Sequence, residues 1–189
     1  MEKTAKILLA ILIVVIAAIV VLIVIVPDLM SGSTNPFGGP NIGPDCLSNF
    51  RYVCQSPNLN TSGMLSMYIG QNTGMVEHNF AVACTASLNS SSGGPYASVS
   101  PWEYASSNGA LSHYYNANDT LTMQSDMKLQ LSGIQCYGQN GQPFSGNIGT
   151  PFTGYIWAEF TSNAGQPSPS NPFVIVKIAS IKAIITRAA

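Results

Sequence analysis

Two histidines, four cysteines and three widely spaced glutamates carry most of the reactive chemistry in this 189-residue chain. His78 and His113 with Cys84 and Cys136 supply the donor types of a blue-copper site, which needs two imidazoles, a thiolate and a weak axial ligand. The residues after Cys136 read YGQNGQPFSGNIG, with no His or Met to complete the usual ligand loop. Neither histidine belongs to an H-x-x-x-H pair, and no G-x-S-x-G elbow is present. Glu77, Glu103 and Glu159 are the carboxylates available for acid–base work, yet their spacing brings no two together. These residues point away from an enzyme, and no cofactor or metal is expected.

The cysteines have a simpler use. None forms a C-x-x-C pair, which argues against a zinc knuckle, and their number is even. Of the three possible pairings the favoured one joins Cys46 to Cys54 locally and Cys84 to Cys136 across strands. A closed loop of about fifty residues is worth roughly 4 kcal/mol in the chain-entropy treatment. Disulfides imply an oxidising compartment, and the N-terminus indicates how the chain reaches one.

Residues 7–26 read ILLAILIVVIAAIVVLIVIV, with no polar side chain. A helix of that length rises about 30 Å, the thickness of a bilayer's hydrocarbon core. A secretory signal has a shorter apolar region and a small-x-small cleavage site. Here Pro27-Asp28-Leu29-Met30 follows instead, so an uncleaved anchor is expected. Lys3 and Lys6 precede the span and Asp28 follows it, which places the N-terminus in the cytoplasm and the rest outside. Residues 31–44, SGSTNPFGGPNIGP, form a Pro/Gly linker. The domains are therefore 1–30, an apolar helix serving as membrane anchor or filament core; 31–44, the linker; and 45–189, an extracellular head.

The head reads as mainly β. Short apolar or alternating runs occur at 64–69, 80–87, 120–131 and 155–161, and a β-branched run covers 173–186. Tyr155, Trp157 and Glu159 share one face of their run, and Ile156, Ala158 and Phe160 the other. The 173–186 run is apolar on both faces, which fits a strand covered on both sides or two strands meeting at a bend near Ser180. Lys177 and Lys182 exclude a second membrane span there. Turn clusters separate the runs at 90–95, 106–109, 138–142 and 163–171. This spacing predicts an immunoglobulin-like β-sandwich. Charged residues make up only 8% of the chain and form no basic patch, so nucleic acid is not expected as a partner; such a surface suits an acidic medium or a cover of neighbours or glycans. Three sequons, at Asn60, Asn89 and Asn118, are candidate glycosylation sites.

The segment FTGYIWAEFT at 152–161, a Gly/Pro/Ser turn and VIVKIASIKA at 174–183, together with the apolar N-terminal helix, resembles small archaeal surface proteins of the type IV pilin-like kind. That resemblance implies N-terminal helices packed into a filament core and β-rich heads facing outward. The expected function is structural: a surface subunit that assembles with copies of itself or with lipid through its helix. Ala10, Ala17 and Ala18 permit close helix approach, and the isolated head is expected to be monomeric. A membrane-tethered binding module is the alternative, and an anchored copper domain a third reading.

Overall fold

The computed structural model describes residues 45–89 and 93–187. The apolar span, Ala10, Ala17, Ala18 and the linker lie outside the described residues. Among the described residues no helix is long and apolar enough to cross a membrane. Nine strands are found among the described residues: β1 (Asp45–Ser48), β2 (Tyr52–Asn60), β3 (Met64–Gln71), β4 (His78–Thr85), β5 (Glu103–Ala105), β6 (Leu111–Ser112), β7 (Lys128–Tyr137), β8 (Pro151–Thr161) and β9 (Phe173–Thr186).

The head is mainly β, as its alternation predicts, but its strands do not stop at an open sandwich. β9 pairs β2, β2 pairs β3, β3 pairs β7, β7 pairs β4, β4 pairs β8, and β8 returns to β9. The ring closes. Two long strands make closure possible by passing from one wall to the other. In β7, Lys128–Gln135 lies against β3, whereas Cys136 and Tyr137 pair with β4. Gly133 is the extra residue there, between the pairs Leu65↔Ile134 and Ser66↔Ser132, and its φ of 88° is one that glycine adopts without steric cost. In β9, Ile178 is the extra residue between Ala179, opposite Ile156, and Lys177, opposite Trp157. One inserted residue bends a strand and exchanges its inward and outward faces. The bend expected near Ser180 is this bulge, within one continuous strand.

Both closing contacts are short and parallel. β4 meets β7 only at Cys84↔Cys136 and Thr85↔Tyr137. β2 meets β9 only at Leu59↔Ile185 and Asn60↔Thr186. A disulfide supports each. Cys84 and Cys136 are bonded across the first seam, with Cα atoms 4.5 Å apart. Cys46 and Cys54 tie β1 to β2, and β1 lies against Ala179–Lys182 of β9, just before the second seam. The pairing is the one favoured from sequence. Gly63 completes the first seam: its carbonyl accepts the Cys136 N–H, and an added Cβ would strike the Phe144 carbonyl.

The interior is filled from every wall. Leu59, Leu65, Met67, Phe80, Ile134, Ile156 and Ile181 are among its fully buried side chains. β4 is also covered on its outer side, where Ala83 lies opposite the buried Trp157, whose Nε1 donates to Thr85 Oγ1 at 3.2 Å. The 120–131 run departs from expectation. Only Lys128 onward is strand, because Asp126 turns the chain at φ 64°. Leu121 and Met123 still enter the core: Leu121 donates to the Ala105 carbonyl and accepts from the Phe80 N–H, and Met123 exchanges both backbone hydrogen bonds with Glu77. β2 is absent from the sequence reading because Pro57 interrupts it. The strand accommodates that proline in a bulge with Ser56 at φ 53°.

Removing the Cys84–Cys136 bridge, which closes a separation of 52 residues, is expected to cost about 4 kcal/mol of stability. Removing Cys46–Cys54, separation 8, is expected to cost about 2.5 kcal/mol. Denaturant titration of the two double Cys→Ala variants checks the order; equal losses would contradict it.

Candidate functional site

Four buried polar centres account for the residues with chemical potential. Asn79, at the start of β4, adopts φ 55° and is almost wholly buried. Its Nδ2 donates to Thr161 Oγ1 at 2.7 Å and to the Gly165 carbonyl at 2.8 Å. Its Oδ1 accepts from Thr120 Oγ1 at 2.9 Å and Tyr115 OH at 3.2 Å. One side chain thus fastens the loop before β7 and the loop after β8 to β4. No motif announces it; the only sequence signal is an amide at the border of an apolar run.

The three glutamates are seated apart. Glu159 lies opposite Ala81 on the outer side of the wall, 5% exposed, and accepts from Tyr104 OH at 3.1 Å. Burial pushes its carboxyl up to about 7, and the Tyr104 hydrogen bond pulls back only in part. Glu103 lies opposite Val82, whose side chain belongs to the interior, so it occupies the other side of the same wall. Its carboxylate accepts the Gln135 backbone N–H and stands 3.1 Å from His113 Nδ1. Burial raises it, while the His113 charge and that N–H lower it. Glu77 accepts from Tyr52 OH at 2.7 Å, and its buried Oε2 has no hydrogen-bond partner among the described residues. Burial raises Glu77, offset by Tyr52, and raises the Tyr52 hydroxyl in turn.

No two of these three carboxylates are brought together; each is paired with a tyrosine or a histidine instead. His113 is exposed, and His78 Nδ1 lies 3.3 Å from Thr122 Oγ1. With Cys84 and Cys136 bonded to each other, neither can supply the thiolate that a copper site needs. Among the described residues no three His, Cys, Asp or Glu side chains gather as a metal site.

Of the sequons, Asn118 is exposed in a turn, its N–H donating to Asn116 Oδ1. Asn60 closes the β2–β3 turn, its Oδ1 accepting from Ser62 N and Met64 N. Asn89 is half-buried; Ser90 and Ser91 of its sequon lie outside the described residues.

The remaining feature is an edge. Along β9, Phe173–Lys177 pairs with β8 on one side, while on the other β1 begins only at Ala179. Asn49 closes the gap partway: its N–H donates to the Ile178 carbonyl and its Nδ2 to the Lys177 carbonyl, each at 3.0 Å. Beyond Lys177 the edge is open among the described residues. Val174 is 36% and Ile175 48% exposed on it, and Phe50, next to Asn49, is 87% exposed. No family model matches the chain, and no curated protein or solved structure matches it.

The buried glutamates set a pH dependence. The unfolded chain ionises Glu159 near 4.5, and the folded state holds its proton up to about 7. Unfolding therefore releases a proton in that window, so stability falls as pH rises through it, by on the order of 2–3 kcal/mol for this group. Thermal melts are expected to show a higher midpoint at pH 4.5 than at pH 7.5, with a smaller difference in Glu159→Gln. A midpoint that climbs with pH would contradict this assignment.

Proposed function

We propose that this chain is a structural subunit of the cell surface, anchored by its apolar N-terminal segment and assembling with copies of itself. The observation that carries this reading is the open apolar edge of β9. A β-branched strand edge without a partner is a template for pairing with another chain. Two supporting facts concern the head as a building block. Its ring is braced by two disulfides, and its buried carboxylates, tyrosines and amide are engaged in holding the fold rather than gathered into a reactive set. Low charge and carboxyls that favour their protonated form suit exposure to an acidic exterior. In this reading the pilin-like pattern, with apolar helices bundled inside and heads outside, describes the assembly, and glycans on Asn60, Asn89 or Asn118 would face the medium.

A tethered binding module is the second reading. It is favoured by a cavity of about 220 Å³ that Tyr104, Leu111, Tyr114, Asn116 and Asp119 help to line. Such a mixture of aromatic rings, amide and hydroxyl groups with one carboxylate suits a polar ligand rich in hydrogen-bond donors.

Protease treatment of intact cells, followed by electron microscopy of detergent-extracted protein, separates these readings. The structural reading expects the head to be cleaved from outside and the intact protein to form filaments or an ordered layer. Ala17→Phe is expected to weaken that assembly several-fold while leaving the head folded, because a larger side chain forces helix axes beyond their usual ~8–10 Å. Discrete particles from wild-type protein would favour the binding module. A head protected inside the cell would overturn both.

A further inference from the structure

We propose that the open edge of β9 pairs with the same edge of a second copy, antiparallel, about a two-fold axis through Ile175. The inference rests on the surface-subunit reading for its setting, and on the backbone of β9 for its geometry. In an antiparallel strand the N–H and C=O of one residue point to the same edge, and successive residues alternate. Lys177 directs its carbonyl away from β8, toward Asn49 Nδ2. Two residues earlier, Ile175 therefore presents both of its groups to the open side, as does Phe173. Val174 and Val176 turn theirs toward Phe160 and Ala158 of β8.

The residues on this edge are self-complementary. The sequence is Phe173-Val174-Ile175-Val176-Lys177, a palindrome over its central three positions. A two-fold axis at Ile175 lets it exchange both hydrogen bonds with the partner's Ile175. Val174 then lies opposite the partner's Val176. Phe173 faces the partner's Lys177, a residue that already sits 5.2 Å from the Tyr155 ring within its own head. No like charges meet. The edge has no proline, and Lys177, at its closed end, is its only charge. Asn49 limits pairing at Lys177, and the two-fold places that limit opposite Phe173, where the strand begins. Both strands run out at the same point, so the contact closes as a dimer and does not propagate along the sheet.

Five residues of edge cover much less than the ~1,200 Å² of a standard stable interface. Pairing is therefore weak between dissolved heads and effective between heads held on one membrane, where the local concentration is about millimolar. That keeps the isolated head monomeric in dilute solution, as its sequence suggests, and gives the assembly a second contact besides the helix.

The test uses the full chain in lipid vesicles. Ile175→Cys places two thiols on opposite residues of one face across the axis and is expected to cross-link under mild oxidation at least ten-fold more than Val99→Cys, an exposed position elsewhere on the head. Ile175→Pro removes a donor that β8 does not use and is expected to lower energy transfer between labelled copies at least five-fold, with the thermal midpoint held within a few degrees. Should Ile175→Pro unfold the head, Ile175→Lys blocks the edge by charge and is read in the same way. Cross-linking at Ile175 no greater than at Val99, or energy transfer unchanged in the folded edge variant, overturns the pairing. If it fails while protease still reaches the head from outside, only the two-fold contact is wrong. If the head is protected, the surface reading falls with it.

Discussion

Everything in the head depends on closing a ring at two places where strands meet in parallel over only two residue pairs. Parallel strands cannot be joined by a tight turn, so each seam brings together segments distant in the chain. Short seams hold few hydrogen bonds against the entropy of bringing their ends together. The cysteines are placed where that imbalance is greatest. Cys84 and Cys136 are register partners at one seam, and Cys46–Cys54 fixes β1 and β2 beside the other. Glu103 serves the first seam too, its carboxylate taking the Gln135 N–H.

The same scarcity of charge that leaves the surface neutral makes the buried carboxyls consequential. Each glutamate spans a position that a purely apolar wall would leave without a partner for a nearby hydroxyl or N–H. Burial favours the protonated carboxyl, so the cost of enclosing Glu77 and Glu159 is least in acid, although the tyrosine hydrogen bond at each favours the ionised form. Asn79 performs the equivalent task without a charge, by holding two loops on β4. Glu77 and Glu159 each accept a tyrosine hydroxyl, and Glu103 stands against His113.

Four strands were legible in sequence because they form apolar or alternating runs bounded by turn residues. β3, β4, β8 and β9 fall where their apolar runs lie, and the two faces of Tyr155–Phe160 are assigned correctly. The disulfide pairing was legible because an even cysteine set, with two members near strands, favours it. Three features were not. β2 is hidden by Pro57, and β5 and β6 are too short to show a period. The closed ring depends on bulges at Gly133 and Ile178, single-residue insertions that register alone reveals. The open edge of β9 is invisible because the same apolar residues read as a strand covered on both sides. Where β1 stops, at Ala179, decides which half is covered.

The proposed surface role rests on a closed, cross-linked, nearly neutral head that leaves an apolar stretch of β9 unpaired among the described residues. The seams carry that account, and the disulfide state of protein isolated from its native cells tests them most directly. Non-reduced peptide mapping is predicted to find Cys46 joined to Cys54 and Cys84 joined to Cys136, with no free thiol. Free thiols at Cys84 and Cys136 would contradict both the closed ring and the oxidising exterior in which it is proposed to stand, and a Cys46–Cys84 bridge would contradict the closed ring.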